Sequence, residues 1–139
     1  MTTKEYLLQL KNDRARIDKL LEKKEALFSR ATKTTHSMNV EKVQVSGKND
    51  MVADNVIKSI EIGEEIEVLV YDYIQRKHDI IDQIQSLSEV NYIDVLFKVY
   101  VQGMNLKAAV KQMGKSYAYV KELHKRALIE FGELNSWCC

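Results

Sequence analysis

The stretch that decides the fold is Gly103–Leu128, GMNLKAAVKQMGKSYAYVKELHKRAL. It reads as two short helices around a tight turn: Leu106–Met113, then Gly114, Lys115 and Ser116, then a helix from Tyr117 to about Phe131. Glycine takes positive φ without a steric penalty, so Gly114 can end one helix and re-aim the chain. Ser116 is a good N-cap, because its hydroxyl can accept a backbone N–H that the next helix leaves unpaired. Apolar residues then recur at Tyr119/Val120, Leu123 and Ala127/Leu128, the three- and four-residue spacing of one buried helix face. The opposite face carries Lys115, Ala118, Lys121, Glu122, Lys125 and Arg126. A helix with one dry and one mostly basic side, set across a tight turn from another, is how a helix-turn-helix presents side chains to a DNA major groove.

Charge is concentrated on the same unit. Gly103–Leu128 holds five Lys and one Arg against one Glu, a local balance of +5, while the whole chain is only +1. That is an electrostatic footprint for phosphate. Lys115, Ser116 and Tyr117 are expected to meet phosphates or the groove lip. Ala118, Tyr119, Lys121 and Glu122 are the candidates for base edges, since Lys can donate to guanine and Glu can accept from cytosine. Tyr119 also continues the apolar stripe, so it serves equally well as a core residue. Lys125, Arg126 and His124 lie farther along, toward backbone or water. Lys107 and Lys111 on the preceding helix can hold phosphates and set register.

At these residues the chain resembles the region-four helix-turn-helix of bacterial sigma factors. It is more similar still to the small sigma-like late-transcription regulators of phages and prophages of Gram-positive bacteria. The likeness rests on an aliphatic helix, a glycine, a short helix, Met-Gly-x-Ser and a helix ending Arg-Ala-Leu. It extends to the opening MTTKEYLLQL, to Ala31–Thr35 and to a long acidic helix ahead of the DNA-binding unit. It leaves out roughly Met38–Asp50 and the tail after Glu130. One departure stands out. The family usually reads Glu-Ile-Ala where this chain has Ala108, Ala109 and Val110, so the small residue that lets the helices approach falls one position earlier, a swap that can preserve packing. The resemblance implies regulation of phage late genes in the host cytoplasm, acting with host RNA polymerase.

Outward from this unit, Tyr92–Gln102 reads as a helix backing it, ended by Gly103. From Met51 to about Leu87 runs a long helix, with Asn49 or Asp50 as its cap and an apolar seam through Val52, Val56, Ile60, Gly63, Ile66, Val70, Tyr73/Ile74, Ile80/Ile81, Ile84 and Leu87. Met51–Glu89 carries nine Asp/Glu and three Lys/Arg, a balance of −6, densest at Glu61, Glu64, Glu65 and Glu67. Phosphate repels such a helix. The first helix, capped by Thr2 or Thr3, has the reverse sign, with eight Lys/Arg against five Asp/Glu over Met1–Ala31. Its stripe runs Tyr6/Leu7, Leu10, Ile17, Leu20/Leu21 and Phe28, interrupted by Arg14 and Lys24. The two are expected to pair as an antiparallel coiled coil. Thr32–Asp50 is rich in Thr, Ser and Asn and reads as a flexible connection, with a short extended piece at Val43 and Val45.

The expected fold is therefore all-α: a long antiparallel helical hairpin or coiled-coil arm over 1–89, a three-helix helix-turn-helix domain over 90–134, and a tail over 135–139. The absence of proline and the scarcity of glycine suit long helices. No run of ~18 apolar residues exists, so no membrane span is expected. The charged N-terminus does not read as a signal peptide. Cys138 and Cys139 are adjacent at the end and lack zinc spacing, and His36 reads as a lone loop residue. Nothing supplies a nucleophile, a second acid or a metal set, so neither enzyme chemistry nor a cofactor is expected. Double-stranded DNA is the expected partner, with a homodimer through the long helices or a polymerase partner supplying the second contact that one small domain lacks. The rival is a helical interaction module whose acidic arm binds a protein without DNA. An RNA-binding module ranks last, for want of a stacking platform.

Overall fold

The computed structural model describes the backbone of residues 1–40 and 46–135 and the side chains of 1–29 and 52–135. It is all-helical. A long antiparallel pair, α1 (Thr3–Val40) and α2 (Ser46–Gln85), is followed by a cluster of short helices: α3 (Val90–Leu96), a π-helical turn (Phe97–Val101), α4 (Leu106–Met113) and α5 (Tyr117–Leu134). The chain divides into two compact units, Met1–Asp13 with Tyr73–Cys139, and Arg14–Asp72. The base of the hairpin therefore belongs with the C-terminal helices, and the boundary expected at 89–90 falls inside the first unit.

Helix α1 opens on a reciprocal cap. The Glu5 backbone N–H donates to Thr2 Oγ1 at 3.1 Å, and the Thr2 N–H donates to Glu5 Oε2 at 3.0 Å. This capping box settles the choice between Thr2 and Thr3. Along α1 one row of inward residues runs Thr3, Tyr6, Leu10, Asp13, Ile17, Leu20, Lys24 and Leu27, with Leu7 buried beside it. The row alternates steps of three and four, the repeat of a coiled coil. Leu21 and Phe28, expected in the seam, are exposed, while Lys24 is half-buried within it.

The same correction applies to α2. One inward row runs Ser59, Ile62, Ile66, Leu69, Tyr73, Arg76, Ile80 and Gln83, again at alternating three and four, with Ile84 buried beside it. Val56, Ile60 and Ile74, expected in the seam, are exposed. The physical reason is that the seam contains polar residues with partners. In the first unit Tyr6 Oη donates to Gln83 Oε1 at 2.7 Å, and Arg76 donates to Asp13. These two pairs sit one heptad apart on both helices and run in opposite directions along the chain, so both belong to the same antiparallel register. In the second unit Lys24 lies across Gly63, whose missing side chain leaves room: a Cβ there would stand 3.0 Å from the Lys24 ammonium. The rest of the expected seam faces inward, with Leu10, Ile17 and Leu20 on α1, Ile66, Tyr73, Ile80 and Ile84 on α2, and Leu87 just beyond it.

The flexible connection expected over 32–50 is largely helical. α1 continues to Val40 and takes in His36, and α2 opens at Ser46, so Asn49 and Asp50 lie inside it and do not cap it. Thr, Ser and Asn lower helix preference by only a few tenths of a kcal/mol each, and with no proline to stop it an established helix propagates through them. The extended piece expected at Val43 and Val45 falls outside the described residues, as do Trp137, Cys138 and Cys139.

The core of the first unit joins Leu7 and Leu10 of α1 to Ile80 and Ile84 of α2, to Val95, Leu96, Tyr100 and Val101, and to Val120, Leu123, Ala127 and Phe131 of α5. Phe131 is fully buried and its ring packs 6.1 Å from that of Tyr6, so the last turns of α5 rest on the first turns of α1. The helix expected over Tyr92–Gln102 starts at Val90 and widens into a π turn, with the Gln102 N–H donating to Phe97 O at 2.9 Å. The extra residue turns two neighbours, Tyr100 and Val101, inward together. Gly103, at φ 74°, then ends the helix while the Met104 N–H reaches back to Lys98 O.

Candidate nucleic-acid interface

The geometry of Leu106–Leu134 follows from three small residues. Asn105 caps α4, its Oδ1 accepting the Ala108 N–H at 2.8 Å. Gly114 ends α4 at φ 66°, in the left-handed region, with its own N–H donating to Val110 O. Ser116 caps α5, its Oγ accepting the Tyr119 N–H at 3.2 Å. The Gly114 and Ser116 roles and the bounds of α4 match the sequence reading. The Asn105 cap is an addition to it, although Asn immediately ahead of an apolar helix is its ordinary signal.

Ala109 is fully buried and is the one α4 side chain that is, while Val110 is half-buried. The alanine thus does the work of the small residue, and the swap at this position leaves α4 and α5 packed. On α5 the buried face is Val120, Leu123, Ala127 and Phe131.

Every candidate contact is exposed. Lys107 and Lys111 lie on α4, Lys115 and Ser116 in the turn, and Tyr117, Ala118, Tyr119, Lys121, Glu122, Lys125 and Arg126 on α5. Tyr119, which could have belonged to the core, is 44% exposed, beside Tyr117 at 49%. Two of the set are engaged with each other: Arg126 Nε donates to Glu122 Oε1 at 3.2 Å. The pair leaves the other oxygen of Glu122 able to accept a further hydrogen bond.

His124 stands apart from the charged row. It is half-buried, and its Nε2 shares a 2.8 Å hydrogen bond with Tyr100 Oη on the π turn. Burial, and then the nearby Lys4, lower its pKa from the ordinary 6.5. Burial pushes the Tyr100 phenol up to about 12. Both groups are therefore neutral near pH 7.

Grooves flank α5 within the first unit. One, of about 510 Å³, is lined by Lys4, Ala118, Lys121, Glu122, His124, Lys125 and Leu128. Another, of about 450 Å³, is lined by Glu89, Tyr92, Ala118, Tyr119, Glu122, Leu123 and Arg126. The first is predominantly basic, and the second carries two carboxylates and two phenols. Among the described residues no group of three His, Cys, Asp or Glu stands close enough to hold a metal ion, and no helix is long and apolar enough to cross a membrane.

An all-helical chain with this hairpin and this C-terminal cluster belongs to the family described as "Protein of unknown function (DUF1492)", whose model matches residues 33–131. The match takes in the end of α1, all of α2 and every candidate contact. No curated protein and no solved structure matches the chain.

Proposed function

We propose that this protein is a sequence-specific DNA-binding regulator of phage or prophage late transcription, similar in its C-terminal helices to region four of sigma factors. In this reading α5 enters the major groove by its N-terminal end. Ala118, Tyr119, Lys121 and Glu122 face base edges, Lys115, Ser116 and Tyr117 meet the groove lip, and Lys107 and Lys111 hold phosphates. The observation that supports it most is the exposure of all these side chains on one turn-linked helix pair whose buried residues, Ala109, Val120, Leu123, Ala127 and Phe131 among them, are apolar. Lysines held out by a rigid scaffold suit a polyanion better than a fluctuating one does, because less ordering is needed on binding.

One such unit covers a single half-site, so useful specificity requires a second contact. The host RNA polymerase, reached through the acidic α2, or a second copy paired through the long helices would supply it in the bacterial cytoplasm. A specific feature keeps the rival reading, a protein-interaction module, in view. Within the Arg14–Asp72 unit, α2 exposes Val56, Ile57, Ile60, Val68 and Tyr71 beside Glu61, Glu64, Glu65 and Glu67. Apolar side chains rimmed by charge are typical of partner surfaces. Titration with defined and random duplexes across a salt series separates the two readings.

A further inference from the structure

The groove along the basic flank of α5 is not made by the helix-turn-helix alone. Lys4 comes from the first turn of α1, more than a hundred residues away in sequence, and lines the same cleft of about 510 Å³ as Lys121 and Lys125. The placement is anchored. The α1 start is capped by Thr2 and Glu5, Leu7 is fully buried one turn on, and Tyr6 packs against Phe131 of α5 itself. Lys4 is also close enough to His124 of α5 for its charge to bear on the imidazole.

The charge in the cleft is uncommitted. Among the described residues, Lys4, Lys121 and Lys125 have no ion-pair partner, whereas the one carboxylate lining the cleft, Glu122, is bonded to Arg126. Lysines that line one open, partly apolar cleft make it electropositive, and an anion placed there is favoured. The cleft volume lies in the range of natural ligand sites. It is continuous with Ala118 and Lys121, the side chains proposed to meet base edges, so an anion there would lie beside the contacted groove.

We infer that α1 contributes to the interface, and that Lys4, with Lys125, clamps a backbone phosphodiester of the bound duplex beside the base edges that Lys121 meets. This rests on the DNA-binding reading and adds a contact that the helix-turn-helix pattern does not contain. It gives the hairpin base a direct part in binding besides support.

The test uses the full chain and a fluorescein-labelled duplex, with affinity measured by anisotropy over a salt series for wild type, Lys4→Ala, Lys4→Arg and Lys11→Ala. Lys11 is exposed on the same helix outside the cleft, so it controls for net charge. Lys4→Ala should weaken binding to defined and random duplexes alike, about 3- to 10-fold at low salt, and reduce the steepness of the salt dependence by roughly 0.9. Lys4→Arg should restore most of the affinity and Lys11→Ala should leave it near wild type. A wild type that binds with Lys4→Ala unchanged, or with Lys11→Ala equally weakened, overturns the clamp and leaves the DNA-binding reading standing. A wild type that binds no duplex overturns both.

Discussion

Tyr100 and His124 face each other across the C-terminal cluster, oxygen to nitrogen at 2.8 Å, with their rings stacked 5.6 Å apart. The contact ties the π turn to the middle of α5, one turn beyond the exposed Lys121. It holds the helix proposed to read DNA against the helix behind it through a partly buried polar contact whose surroundings disfavour charge on either group.

Stability should therefore fall at both ends of the pH range. The folded chain holds His124 less protonated than the unfolded chain does, so stability is lost as pH drops below about 6.5. The folded chain keeps the Tyr100 proton between 10 and about 12, where the unfolded chain has released it, so stability is lost again as pH rises above 10. Urea midpoints measured from pH 5 to 11.5 check both limbs. Tyr100→Phe should cost about 1 kcal/mol at pH 7 through the unpaired imidazole and should flatten the alkaline limb relative to wild type.

Gly114 sits in the left-handed region with nothing within 4 Å of the position a Cβ would take. The cost of substitution there is conformational and not steric. Gly114→Ala should destabilise the fold by about 1 kcal/mol, and Gly114→Asn by less, because Asn tolerates that region better. Equal losses for Ala and Asn would show that the turn is held by something other than backbone preference.

The Asp13–Arg76 pair is half-buried in the helical seam. Removing one partner strands the other, so Asp13→Leu alone and Arg76→Leu alone should each destabilise by about 1–3 kcal/mol. The double variant should recover most of that loss, since two leucines fill the seam without a desolvation cost. If register depends on the pair, the double variant should also lose its single well-dispersed NMR spectrum, which a stability curve would not report.

These seam residues explain what was legible in the sequence and what was not. Gly114 and Ser116 were readable because their roles depend on local backbone chemistry, and so were the α4 bounds and the Thr2 cap. The existence and sign of the two long helices followed from composition. Their seam followed in part: Leu10, Ile17, Ile66, Ile80 and Ile84 lie where periodicity puts them, while Asp13, Ser59, Arg76 and Gln83 take positions that periodicity leaves to apolar residues. The Asp13–Arg76 and Tyr6–Gln83 pairs have a use only once the neighbour across the hairpin is known. For the same reason the arrival of Lys4 beside α5, and of Tyr100 beside His124, could not be read from spacing. Over Thr32–Val40 and Ser46–Asp50, weak local preferences were outweighed by helix continuity.

At the interface itself, Lys121 and Lys111 separate two kinds of contact. Lys121→Ala should lower affinity for a preferred duplex by roughly 10-fold, about 1–3 kcal/mol being typical of a base contact, with little effect on random sequence. Lys111→Ala should weaken both equally. Competition binding with preferred and random duplexes distinguishes these patterns, and equal losses for Lys121→Ala would remove it from the base-reading set.

The most direct test of the central claim is the salt dependence of duplex binding by the intact protein. If Lys107, Lys111, Lys115, Lys121 and Lys125 meet the backbone or groove, log affinity should fall with log salt at a slope of roughly −3 to −5, about −0.9 for each phosphate neutralised. One sequence should outcompete the rest at every salt concentration. A protein that binds no duplex at low salt, while remaining folded, would contradict the account.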